Sequence, residues 1–247
     1  MVSPARWHSA QQYERGYWEE LATRIANGSV SQLDWYRWRA EQLAGRLRAL
    51  GLEKLVGGSA RVVEVGCGPI GVVGFFPAAE RLAIDPLESY YAANVTLAAL
   101  RNRAVEYRQG SVEALPCDSA RYDLAIMENC IDHVRDVQAG MRELKRVIGT
   151  TGTLYLTVNC RTRWGFVAHR ALSRLRIDAG HPHTFTPRRV QTLLRDHGFT
   201  TLHFEVGSYA DARKEDLAAS ERRARIKGLI GISEFVVSAV AQPIQAR

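Results

Sequence analysis

The stretch RVVEVGCGPIG, Arg61 to Gly71, decides the fold once it is read with LAIDPLESYY, Leu82 to Tyr91. A short apolar run ends in an acid, Glu64, and turns through glycines. A second apolar run ends in Asp85, about 20 residues on, the spacing of a mononucleotide-binding βαβ unit. The pattern predicts a strand, a tight turn that lets backbone approach a ligand, and a carboxylate placed for a ribose diol. Gly66, Gly68 and Gly71 formally satisfy the dinucleotide signature, but two features argue against a diphosphate. A carboxylate at Glu64 repels phosphate and favours a cationic group. Pro69 removes an N–H that a pyrophosphate would want at a helix start. A cationic nucleoside cofactor without phosphates fits better, and S-adenosylmethionine has that chemistry.

Further along, QGSVEALP (Gln109 to Pro116), YDLAIMENCIDHVRD (Tyr122 to Asp136) and LKRVIGTTGTLYLTVN (Leu144 to Asn159) follow in order. With EVGCGPIG and AIDP, these pieces resemble the class I S-adenosylmethionine-dependent methyltransferases, particularly the small-molecule group, from about Arg61 to Val158. Two departures stand out. Ile70 occupies the usual third-glycine position, with Gly71 one step later, and Ser111 stands where the family often has an acid. The resemblance implies S-adenosyl-L-methionine as cofactor, held by Glu64, Gly66 and Gly68, by Asp85 at the ribose, by Ser111 and Val112 at the adenine, and by Asn129 at the methionine end.

Strands are expected near Arg61–Val65, Arg81–Asp85, Val105–Gln109, Tyr122–Glu128 and Thr153–Asn159, with helices near Leu87–Arg101, Asp136–Ile148 and Thr162–Ile177, and another from about Pro187. This alternation predicts an α/β, Rossmann-like, doubly wound and mostly parallel sheet. Phe199–Gly207 and Ile232–Ala241 read as closing strands around a charged segment, Asp211–Gly228. In the family these make an antiparallel edge hairpin, giving seven strands. Two helices between about Ser9 and Leu50 form an N-terminal lid, set off by Gly51 and Gly57-Gly58. The division expected is a helical cap over 1–57 and the Rossmann-like methyltransferase domain over 58–247.

A methyl transfer to a hydroxyl needs its proton removed. His133, next to Asp132 where the fourth strand opens, is the candidate base, with Asp132 orienting it; capping of the next turn is the alternative for either. GHPHTFT, Gly180 to Thr186, reads as a loop over the cleft that brings His181 and His183 to the acceptor, with Thr184 or Thr186 capping the helix that follows. These histidines with Asp132 and His133 could also group around a divalent ion. A subset of O-methyltransferases has an E-x-x-E-H ligand motif here, but Asn129 replaces its first acid, and no metal is assigned. The lid segments YERGYWEE and WYRWR are similar to methyltransferases of bacterial polysaccharide and glycan pathways. Their aromatics suit sugar rings, which adds Tyr13 and Trp18 to the acceptor site. The function expected is O-methylation of a small molecule, most readily a saccharide. N- or C-methylation of another metabolite is the alternative, and nucleic-acid methylation a more distant one.

The 247 residues carry a net charge of +7, much of it in the C-terminal third, as in RRARIK, Arg222 to Lys227. Interrupting acids and the missing D/N-P-P-aromatic motif argue against a nucleic-acid partner. No apolar run is long enough to span a membrane, and no membrane partner or secretory leader is expected. Four scattered cysteines point to a reducing, cytoplasmic setting without structural zinc, and a homodimer is allowed.

Overall fold

The computed structural model describes residues 2–173 and 181–245. Seven strands form one sheet: β1 (Arg61–Val65), β2 (Glu80–Asp85), β3 (Glu106–Gln109), β4 (Leu124–Glu128), β5 (Thr153–Cys160), β6 (Phe199–Val206) and β7 (Phe235–Pro243). Their spatial order is β3-β2-β1-β4-β5-β7-β6. The first five are parallel, and β7 runs antiparallel between β5 and β6. The expected Rossmann-like sheet with an antiparallel edge pair is what the chain forms. Strand order reverses between β1 and β4, so a crevice opens beyond their carboxyl ends.

β1 and β4 are near-continuous apolar runs because helices cover both faces of a parallel sheet. One face buries Val63, Val65, Leu82, Ile84 and Met127. Against it packs α5 (Val137–Ile148), which buries Met141, Leu144, Val147 and Ile148. Asp136 caps α5 by accepting from the N–H groups of Gln138 and Ala139, and Gly149 ends it at φ 62°. Each such buried side chain contributes roughly 1.5–3 kcal/mol. The other face buries Val62, Leu124, Ile126 and Tyr155. Its cover is α2 (Gln32–Ala49), whose Tyr36, Ala40, Leu43 and Leu47 recur at helical spacing and are all buried.

α1 (Pro4–Ala26) begins at Ser3, whose hydroxyl accepts from Arg6 N–H, with Pro4 in the first turn. It buries only Ala10, Leu21 and Ala22. The helix expected over Leu87–Arg101 is instead two, α3 (Glu88–Ala93) and α4 (Val95–Ala98). Asn94 leaves the helical region at ψ 109°, and its side chain accepts from Leu97 N–H to start α4. This is the local competition that makes asparagine a helix starter.

α6 (Arg163–Ser173) lies within the expected Thr162–Ile177 helix, whose last residues fall outside the described ones. α7 (Pro187–Asp196) is capped by Thr186. The charged segment between β6 and β7 holds two helices, α8 (Tyr209–Ala218) and α9 (Arg222–Ile230). No helix among the described residues is long and apolar enough to cross a membrane.

Candidate active site

A cavity of about 440 Å³ lies at the switch point, roofed by α1 and α2. Its floor is the turn after β1. Gly66 and Gly68 take φ of 74° and 60°, a region L side chains avoid. Space forbids a side chain as well. A Cβ at Gly66 would sit 2.2 Å from Cys130 Sγ, and one at Gly68 would sit 2.8 Å from the Tyr36 hydroxyl and 3.1 Å from the Trp18 ring. The lid therefore rests directly on the glycine turn.

Asp85 ends β2 on the cavity wall. Its carboxylate accepts from Gly68 N–H at 3.0 Å and Leu87 N–H at 2.9 Å, joining the β2 end to the glycine turn. Burial pushes its pKa up to about 6, against the pull of those two N–H groups. Gly110, Ser111 and Val112 line the wall after β3, with Ser111 donating to Glu113. Asn129 lines the cavity after β4 at φ 51°, a sparsely populated conformation for a side-chain residue. Three contacts hold it: its N–H donates to the Thr157 carbonyl at 2.9 Å and to the Thr157 hydroxyl at 3.0 Å, and its side-chain oxygen accepts from Asn159 N–H at 3.2 Å.

Glu64 corrects the sequence reading. It is buried and absent from the cavity wall, and its Oε2 accepts from Val73 N–H at 2.8 Å. It shapes the loop after the glycines rather than facing a cation. Burial raises its pKa to about 7.

His133 and His181 line the cavity, and the buried Asp132 lies beside them. The rings of His133 and His181 are 4.5 Å apart, and Asp132 Oδ1 lies 3.8 Å from His133 Nε2. Asp132 is 3% exposed, and its Oδ1 has no hydrogen-bond partner among the described residues. One ligand atom from each of the three lies within 4.8 Å of the others, a spacing that also suits a divalent ion. His183 is a second correction. Its Nε2 meets the Val134 carbonyl at 2.9 Å, its ring lines a neighbouring cavity, and burial lowers its pKa. Of the two loop histidines, only His181 faces the central cavity. Tyr13 and Trp18 both line it, Trp18 edge-on to Tyr91.

Sequence reasoning passed over Glu14, and it named Glu128 among the strand-end groups and Arg39 among the lid arginines without giving either a set role. Glu14, on α1, places Oε1 3.1 Å from His133 Nδ1. Arg39, on α2, donates to Glu128 Oε2 through Nε at 2.9 Å, with its terminal nitrogen at 2.5 Å. Arg39 and Glu128 line the cavity as a largely buried ion pair. Glu128 carried the same signal as Asp85, an acid closing an apolar strand. Its partner, 89 positions away in the chain, could be read only as one of several arginines beside the lid aromatics.

The sequence pattern of the family described as "Methyltransferase domain" matches residues 35–203. The chain is similar to the malonyl-[acyl-carrier protein] O-methyltransferase of Enterobacter lignolyticus, 29% identical over 49% of this chain and 52% of that protein. It is also similar to the ubiquinone biosynthesis O-methyltransferase of Bartonella tribocorum, 23% identical over 60% of this chain and 62% of that one. The matches thus span about half to three-fifths of the length of these curated relatives. Among solved structures, geranyl diphosphate C-methyltransferase from Streptomyces coelicolor, in complex with Mg²⁺, geranyl diphosphate and S-adenosyl-L-homocysteine, superposes with a TM-score of 0.56. It is 13% identical and covers 76% of this chain and 72% of that one, a likeness of fold. The family match covers most of the chain, including the glycine turn, Asp85 and the β4 end; the chain belongs to the methyltransferase-domain family, as a class I S-adenosylmethionine-dependent member.

Proposed function

We propose that this protein methylates a hydroxyl of a small molecule, with a saccharide as the acceptor class its cavity suits best. The observation that carries the transfer to oxygen is the His133 imidazole in the cavity, with Glu14 at one ring nitrogen and Asp132 near the other. When bound, S-adenosylmethionine supplies an electrophilic methyl group on a sulfonium sulfur. The residues fit it. Asp85 on the cavity wall would take the ribose diol, and Ser111 and Val112, which line the same cavity, would flank the base. The Arg39–Glu128 pair offers a cation and an anion to an α-carboxylate and an α-ammonium group, beside Asn129.

His133 then takes the acceptor proton as the new bond forms, and the nearby carboxylates stabilise the imidazolium. Holding acceptor and donor in line supplies much of the remaining acceleration. The half-exposed Tyr13, Tyr17 and Trp35 at the cavity support the saccharide reading, since aromatic faces stack on sugar rings. The O-methyltransferase relatives favour oxygen over nitrogen or carbon as the acceptor atom.

Methyl transfer from labelled S-adenosylmethionine to a panel of saccharides, phenols and amines tests the reading. Transfer confined to amines would overturn it.

A further inference from the structure

α8 and α9 leave the sheet between β6 and β7 and bury almost nothing of their own. α8 has no buried residue, and α9 has only Gly228, which packs so tightly that a Cβ there would come 2.9 Å from Leu217 Cγ. The small residue thus turns inward while larger apolar ones turn out. Ile226, Leu229 and Ile230, three and four positions apart, share one helix face and are exposed, Leu229 by 68%. Trp164 on α6 extends this strip: its indole N–H donates to the Ile230 carbonyl at 2.9 Å, and the ring is 61% exposed. Val167, one turn further along α6, is exposed as well. Arg222, Arg223 and Arg225 stand on the same helix, exposed and without an ion pair among the described residues; of the exposed acids nearby, Asp211 and Glu215 belong to α8 and Glu221 stands at the N-cap of α9.

An apolar strip bordered by arginines selects its occupant. Nucleic-acid phosphates reward the cations and leave the strip unexplained. An anionic bilayer rewards both, since side chains such as Leu and Trp sink to the headgroup boundary while arginines meet the lipid phosphates. Docking of this kind needs no spanning segment. The position also suits it. Cys160, the last residue of β5, pairs with Phe235, the first of β7. α6 and α9 therefore meet the sheet at the end where the catalytic cavity opens.

We propose that the face formed by α6 and α9 docks this protein on an anionic phospholipid surface, turning the cavity end of the sheet towards the bilayer. The test is sedimentation of the full chain with vesicles of phosphatidylglycerol or of phosphatidylcholine. The protein is expected to sediment with the anionic vesicles at low salt and to stay in solution with the zwitterionic ones. Replacing Arg222, Arg223 and Arg225 together by Gln should weaken partition roughly a hundredfold, at about fivefold per cation. Leu229→Ser should weaken it about tenfold. All four positions are exposed, so the fold should survive, and unchanged S-adenosyl-L-homocysteine affinity verifies that. No sedimentation with anionic vesicles, equal retention on both lipids, retention indifferent to the substitutions, or retention on duplex RNA in place of vesicles would each overturn the proposal.

Discussion

Glu14 on the N-terminal helix and His133 beyond β4 place Oε1 and Nδ1 3.1 Å apart. We infer that a carboxylate at this distance favours the tautomer protonated on Nδ1, which would leave Nε2 as the basic atom. Glu14→Gln is expected to lower turnover about tenfold, a fraction of what a general base contributes. S-adenosyl-L-homocysteine affinity should stay within about twofold. Nitrogen-15 spectra of the labelled histidines give a second readout, with the His133 tautomer ratio shifting towards the Nε2-protonated form. An unchanged ratio would show that the helix only covers the cavity.

His133→Ala should reduce turnover by roughly 10²–10⁴-fold with cofactor affinity nearly intact. Assay after chelator treatment, with and without added magnesium, separates a base from a role beside an ion. Full activity of the variant without metal would exclude both roles.

The loop histidines should behave differently from one another. His181→Ala is expected to impair turnover with little change in melting temperature. His183→Ala removes a contact to the Val134 carbonyl and should cost on the order of 1 kcal/mol of stability instead. Unfolding curves and assays of both variants check the split.

Asp85→Ala should weaken S-adenosyl-L-homocysteine binding by about 1.5–3 kcal/mol in calorimetry. Arg39→Met should weaken the same ligand while sparing 5′-methylthioadenosine, which lacks the amino-acid end. Equal loss for both ligands would place Arg39 outside the recognition of that end.

The buried carboxyls set a pH dependence with a definite sign. Asp85 moves from 3.8 to about 6 and Glu64 from 4.5 to about 7, so at intermediate pH the folded chain binds more protons than the unfolded one. Their contribution is complete below about pH 4 and lost as pH rises to about 7. Asp123 and Glu143, lowered by Arg61 and Arg146, act in the opposite sense at more acidic pH, and His183, lowered by burial, offsets part of the decline as pH rises towards neutrality. Urea midpoints of the ligand-free protein should therefore decline between pH 5 and about 7.5. Glu64→Gln, which keeps an acceptor for Val73 N–H, should flatten the upper part of that decline.

Parts of this were legible in sequence because they are local. An apolar strand, its terminal acid and the glycines after it lie within a few residues, so the turn and Asp85 could be read directly. Glu64 misled because a strand residue's identity does not say on which side of the turn its carboxylate emerges; backbone N–H groups at Val72 and Val73 captured it. His183 alternates with His181 as expected, and that same alternation sends its ring into the neighbouring cavity. The pairings of Glu14 with His133 and of Arg39 with Glu128 were invisible, because each is made by a lid helix settling on a distant strand end.

α1 roofs the cavity yet is anchored by only three buried residues, against four on α2, one of them a tyrosine. We infer that it is the wall that gives way when spent cofactor has to leave. Lifting it also carries Glu14 away from His133. If α1 is the wall that opens, each release of product would also part Glu14 from His133, and the pair would re-form only when the next cofactor is enclosed.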